Sequence, residues 1–269
     1  MAEPTGDDRL DFGGRVVLVT GGTRGVGRGI AEAFLSAGAE VVVCGRNTPD
    51  EMPAAGDRAA VFVGGDIRQP EQAASIVEQT ATRLGRLDVL VNNAGGSPAA
   101  DAATVSPRFV TSVVTLNLLA PFWCAQGANA VMQQQVDGGA IVNIGSVSGV
   151  RPSPGTAAYG AAKAGLVNLT KTLAMEWAPK VRVNCVVAGL LGTEAAADFY
   201  GSREAVEAVT ATVPAGRLGT AADVAGVCLF LASPLADFVT GAIVEAHGGG
   251  ERPPFLTALE HLGPGADPT

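Results

Sequence analysis

Short apolar runs alternate with amphipathic stretches along almost the whole chain. The runs are Arg15–Thr20, Glu40–Cys44, Ala60–Val63, Leu87–Val91, Ala140–Ile144, Val181–Val187 and Ala242–Glu245. Their apolar positions are consecutive and rich in Val and Ile. That pattern predicts strands buried on both faces, as in a parallel sheet covered by helices. Helical periodicity fills the gaps at about 25–38, 70–84, 106–135, 156–178, 194–212 and 220–232. Strict alternation predicts an α/β fold: one doubly wound parallel sheet of about seven strands, with helices on both faces and right-handed crossovers. The second crossover breaks the rhythm. Residues 45–59 hold two prolines and two glycines, which predicts a loop with at most a helical turn. Phe255, Leu256, Leu259 and Leu262 recur at helical spacing and predict a short helix before a disordered end. The organisation expected is therefore a flexible tail at 1–11, one domain at 12–250, and an extension of that domain at 251–269.

A length of 269 residues suits one large α/β domain. Hydrophobic residues make up 47% and aromatics only 5%, so the core must be aliphatic, packed around many glycines. The net charge of −8 argues against nucleic acid or an anionic membrane surface as a partner. The four cysteines sit singly in apolar runs, as reduced, buried thiols do. Two histidines and no ligand cluster argue against a dedicated metal site. The first twelve residues are acidic and polar, unlike a signal peptide. No continuous apolar run approaches the roughly 18 residues of a membrane span. A soluble, cytoplasmic protein is expected.

The first strand runs into Thr20-Gly21-Gly22-Thr23-Arg24-Gly25-Val26-Gly27, and a helix follows at once. Glycines at 21, 25 and 27 allow a tight turn and close approach of backbone to ligand. The free N–H groups of the helix start suit a pyrophosphate. The second strand ends Val43-Cys44-Gly45-Arg46, without the carboxylate that would bond a ribose 2′-hydroxyl. Arg46 and Arg24 instead converge where the adenosine ribose should lie, which suits a 2′-phosphate. The cofactor expected is NADP(H) in preference to NAD(H).

Tyr159 and Lys163 stand four residues apart near the start of a predicted helix, on one face. A nearby ammonium, with an oxidised nicotinamide, would lower the tyrosine pKa and make it an acid/base near neutral pH. Ser146 lies just beyond the carboxyl end of a strand, where open α/β sheets bind ligands. It could hold a carbonyl or alkoxide oxygen. On chemistry alone Ser148 competes for that role. Asn117 lies in a long predicted helix with Pro121 four residues on. The proline has no N–H and its ring pushes the residue-117 carbonyl outward, so a kink is expected there.

With these residues in place, the chain resembles a short-chain dehydrogenase/reductase over about residues 11–250. The resemblance rests on T-G-x-x-x-G-x-G at 20–27, Asp66, Asn92-Asn93-Ala94-Gly95, Asn117, Ser146 and Tyr159-x-x-x-Lys163. It implies a Rossmann-like fold and an oxidoreductase that interconverts a ketone or aldehyde and an alcohol by hydride transfer. It also implies a small-molecule substrate and a homotetramer or homodimer packed through the helices at 106–135 and 156–178. By resemblance Ser146 is chosen over Ser148 and Lys163 bonds the nicotinamide ribose. A water at Asn117 continues a proton relay from the lysine. The cofactor residues implied or read are Gly21, Thr23, Arg24, Gly25, Val26, Gly27, Arg46, Asp66 and Ile67 at the adenosine side. Asn93, Ala94, Gly95, Tyr159, Lys163, Leu191 and Thr193 follow along the cofactor.

Two positions depart from the family pattern. Ala188-Gly189 stands where Pro-Gly is usual, which loosens the placement of Leu191 and Thr193. His247 stands where an Asp often precedes Gly-Gly, and reads as a turn histidine. Substrate contacts are expected from Gly96, Ser97, Ser148, Arg151, Leu190, Phe199 and Tyr200. They make a mostly apolar wall with one candidate anion-binding group, Arg151. Two other readings are a non-catalytic NADP-binding protein and an epimerase or dehydratase of the same broad type. The glycine spacing and the short C-terminal region disfavour the latter.

Overall fold

Seven parallel strands form one sheet in the order β5-β2-β1-β6-β7-β8-β9 in the computed structural model of the chain, which describes residues 8–193, 201–253 and 255–256. The strands are β1 (Val16–Thr20), β2 (Glu40–Gly45), β5 (Val61–Gly64), β6 (Val89–Asn92), β7 (Gly139–Ser146), β8 (Val181–Ala188) and β9 (Ile243–Ala246). All five residues of β1 and all four of β6 are buried, as expected for strands covered on both faces. The helices are α1 (Gly25–Ser36), α2 (Pro70–Leu84), α3 (Pro107–Val114), α4 (Ala120–Met132), α5 (Ala157–Trp177), α6 (Arg203–Ala211) and α7 (Ala221–Ala232).

Two aliphatic cores lie on opposite faces of the sheet. One packs α1 and α7 through Ile30, Phe34, Val224 and Leu231 against Val17, Val19 and Val186. The other packs α2, α4 and α5 through Ile76, Ala128 and Leu173 against Leu18, Leu90 and Ile141. The sheet order reverses between β1 and β6, so a crevice opens beyond their carboxyl ends. Thr20 and Asn93 tie the two strand ends together. The Thr20 hydroxyl accepts from the Asn93 and Ala94 N–H groups at 3.0 and 3.1 Å, and Asn93 Nδ2 donates to the Thr20 carbonyl at 2.9 Å.

Four details depart from the sequence-based expectation. The 45–59 segment is no helical turn: it carries a hairpin of β3 (Ala54–Ala55) and β4 (Arg58–Ala59). Gly56 takes φ 56° in its two-residue connection, a conformation that glycine supplies without strain. The predicted helix at 106–135 is interrupted by a π turn at Thr115–Leu119. Proline at 121 cannot donate to residue 117, and a π turn re-registers the helix at that point. The stretch Pro107–Met132 also has the length and apolarity of a membrane span, with mean hydropathy 1.3, although it has no long unbroken apolar run. It lies against α2, β6 and β7. Finally, the predicted helices at 194–212 and 255–262 lie partly outside the described residues.

Candidate active site

A cleft of about 1230 Å³ runs along the carboxyl edge of the sheet, from Arg46 and Asp66 at one end to Ser146, Tyr159 and Lys163 at the other. Gly21, Thr23, Arg24, Gly25, Val26, Gly27, Ile67, Asn93, Ala94, Gly95, Leu191 and Thr193 all line it, so it gathers every residue expected at the cofactor. Gly96 lines it as well. Ser97 and Leu190 do not, and Ser148 and Arg151 line a separate depression of about 380 Å³. Phe199 and Tyr200 lie outside the described residues. Sequence reasoning missed Arg28, Arg68, Leu116, Ile144, Ala188 and Gly189 on the cleft wall. Arg68 had a legible signal, since it stands two residues past Asp66 in an extended segment.

The cleft fits a dinucleotide. Helix α1 begins with no side-chain cap, so its first N–H groups are free for an anion. Gly25 takes φ 53°, and a methyl group there would meet nothing within 4 Å. The backbone at that point therefore faces open space. At the far end, the segment after β8 is held although Pro is absent at 188. Gly189 N–H donates to the Ala246 carbonyl at 3.1 Å, Gly192 N–H to the Gly219 carbonyl at 2.9 Å, and Leu191 forms a bridge with Gly219. His247 pairs through Nε2 with Glu245 at 2.8 Å.

Ser146 is the last residue of β7, and its Oγ accepts from the Ser148 N–H at 3.2 Å. Tyr159 and Lys163 lie in the first two turns of α5. The helix comes close because Gly149 has no side chain: a methyl there would stand 2.7 Å from the Lys163 carbonyl carbon. Lys163 is 3% exposed, and its Nζ donates to the Ile144 carbonyl at 2.8 Å and lies 5.7 Å from the centre of the Tyr159 ring. Burial pushes its pKa down from 10.5 to about 8.

Tyr159 overturns one expectation. Its pKa is raised above 10, not lowered, because burial penalises the phenolate, while a hydrogen bond with Ser146 works the other way. Lys163 contributes no lowering in the cofactor-free protein.

Asn117 is fully buried in the π turn. Its Nδ2 donates to the carbonyls of Val113 and Gly96 at 2.9 and 3.0 Å, and its Oδ1 accepts from the Gly96 N–H at 2.8 Å. A methyl on Gly95 would meet Asn117 Oδ1 at 2.7 Å and Lys163 Nζ at 3.2 Å. Asn117, Gly95 and Lys163 thus converge on one spot. Pro121 is anchored in turn, its carbonyl accepting from Asn92 Nδ2 at 3.0 Å.

Arg151 is not a free cation. It forms an ion pair with Glu251, and its Nη1 donates to the Pro152 carbonyl at 2.8 Å.

Comparison with known proteins agrees with this geometry. Residues 21–251 match the family described as Enoyl-(Acyl carrier protein) reductase. The chain belongs to the short-chain dehydrogenase/reductase family. An uncharacterised oxidoreductase of Mycobacterium tuberculosis is 34% identical over 90% of this chain and 93% of its own. The 3-oxoacyl-[acyl-carrier-protein] reductase of Salmonella typhimurium is 33% identical over 89% and 98%. A solved structure from Beutenbergia cavernae, described as an NAD(P)-dependent gluconate 5-dehydrogenase with bound NADP, is 36% identical. It superposes with a TM-score of 0.82–0.83 class similarity, 0.83 in this pair, over 90% of this chain and 98% of that one. This family member is an oxidoreductase that acts on CH–OH or C=O groups with a nicotinamide cofactor.

Proposed function

We propose that the enzyme is an NADP(H)-dependent reductase/dehydrogenase that interconverts an apolar ketone or aldehyde and its alcohol, with Tyr159 as general acid/base. The observation that carries this reading is the convergence of Ser146, Tyr159 and Lys163 at one end of the cleft. Bound NADPH would supply the hydride. The chain's own residues manage the oxygen and the proton. Ser146 Oγ bonds the substrate oxygen, and Tyr159 Oη gives it a proton as negative charge builds there. Burial keeps the phenol protonated until that moment. In the oxidative direction Tyr159 takes the proton back. Lys163, oriented by the Ile144 carbonyl, bonds the ribose and passes the proton towards a water at Asn117. That side chain holds Gly96 in place.

The preference for NADP is supported by charge. Four arginines line the cleft. Arg28 pairs with Glu32 and Arg68 with Asp66, whereas Arg24 and Arg46 make no ion pair among the described residues. Two unpaired guanidiniums at the adenosine end suit a phosphate dianion. Replacing Arg46 with Ala should lower kcat/KM for NADPH about tenfold and change NADH by less than twofold. Steady-state kinetics with both cofactors check this, and an unchanged ratio would sink the preference.

The same reading includes assembly and setting. Only 33% of the apolar window within Pro107–Met132 is buried inside one chain, and Met175 on α5 is 84% exposed. Pairing of these helices between copies would cover them in a homotetramer or homodimer. Light scattering should give at least a dimer, and a monomer would refute it. The four thiols are buried and unpaired, which suits a reducing cytoplasmic setting.

A further inference from the structure

The adenosine end of the cleft contains a carboxylate where a phosphate dianion is to be received. Gly45 of β2 pairs with Gly64 of β5, and Gly65 N–H donates to the Gly45 carbonyl at 2.9 Å. Arg46 and Asp66 therefore leave neighbouring strands side by side, and both line the cleft. An uncompensated Asp66 would oppose the attraction that Arg46 exerts on an anion.

Arg68 cancels it. Its Nε donates to Asp66 Oδ1 and Oδ2 at 2.9 and 3.1 Å, and its Nη2 to Oδ2 at 2.5 Å. The Arg68 N–H adds a bond to Oδ1 at 3.1 Å. This fork is the geometry in which arginine binds a carboxylate most strongly. Only two residues separate the partners, so little chain entropy is lost in forming it. The turn is pinned independently, since the Asp66 N–H donates to Gln72 Oε1 at 2.8 Å. Without Arg68, Arg24 and Arg46 would face three carboxylates on the cleft wall: Asp50, Glu51 and Asp66.

We propose that Arg68 is a specificity-determining residue for the cofactor: by neutralising Asp66 it lets the adenosine end accept a 2′-phosphate beside that carboxylate. This rests on the NADP reading given above. Arg68 acts through Asp66 and is a positioning and charge-balancing residue, not a catalytic one.

The test is the affinity of the purified full chain for NADPH and NADH, read by cofactor fluorescence. Wild type, Arg68→Gln, Arg68→Lys and the double variant Asp66→Asn/Arg68→Gln are compared. Arg68→Gln should weaken NADPH about tenfold and NADH less than twofold, because only the phosphate meets the exposed charge. Arg68→Lys, which keeps the charge, should stay within about threefold of wild type for NADPH. The double variant should recover NADPH affinity to within about threefold, since the carboxylate is gone. Equal weakening of both cofactors by Arg68→Gln, or no recovery in the double variant, overturns the compensation alone. Wild type that binds NADH as tightly as NADPH overturns the NADP reading and the compensation with it.

Discussion

Replacing Tyr159 with Phe should lower kcat for carbonyl reduction by about a thousandfold, within the range that general acid/base groups contribute. The ring stays and the packing against Lys163 is kept, so NADPH affinity should change by no more than about threefold. Rapid-mixing kinetics and cofactor titration separate the two quantities. A loss confined to KM would show that Tyr159 only holds substrate. The pH dependence supplies a second check. Burial raises the phenol above its ordinary value of 10, so the protonated form needed for reduction persists through neutral pH. Reduction should therefore be flat from about pH 6 to 8 and fall only in alkali. Oxidation needs the phenolate and should rise with pH across the same range.

Replacing Lys163 with Met should abolish turnover and yet stabilise the fold. The activity loss should again be about a thousandfold, because both the ribose contact and the proton path run through Nζ. The stability effect follows from burial. The folded pKa, about 8, lies below the ordinary 10.5, so the folded state binds this proton more weakly than the unfolded state. The cost of the buried charge is fully present below pH 8 and is relieved as pH rises from about 8 to 10.5. That cost is about 3 kcal/mol, from the roughly 1.4 kcal/mol carried by each pKa unit. Methionine removes it but leaves the Ile144 carbonyl without its donor, which offsets about 1–3 kcal/mol. A net gain of about 1 kcal/mol at pH 7 is expected by urea denaturation. Wild-type stability should rise between pH 8 and 10, and the variant should lose Lys163's contribution to that slope. A Met variant less stable than wild type at every pH would contradict this reading of Lys163.

Much of the frame was legible before the fold was known. Consecutive Val and Ile marked the strands, because residues buried on both faces need no alternation. The Gly-rich turn and the Tyr159–Lys163 pair were legible because their geometry is local: a strand end, a helix start, one helical turn. Ser146 required knowledge of where ligands bind on such sheets. What stayed hidden depends on chain segments distant in sequence. Arg151 could not be seen to meet Glu251, because a hundred residues separate them. The direction of the Tyr159 shift was misjudged because desolvation depends on the elements that close over the ring, and only the charge beside it was counted. The hairpin at Ala54–Ala59 escaped because its two strands of two residues each are too short to carry a periodic signal. Pro121 did announce a break, and the π turn at Thr115–Leu119 is that break.

The central claim is that Ser146, Tyr159 and Lys163 turn over a carbonyl/alcohol pair with NADP(H). Its most direct test is cofactor absorbance at 340 nm, with wild type and Tyr159→Phe, across a broad panel of apolar ketones, aldehydes and alcohols in both directions (the wavelength is that of about 340 nm nicotinamide absorbance, on which cofactor assays rest). The account predicts turnover of at least one pair, faster with NADPH than with NADH, and its loss in Tyr159→Phe. NADPH bound tightly without turnover of any compound would contradict it and identify a binding protein instead.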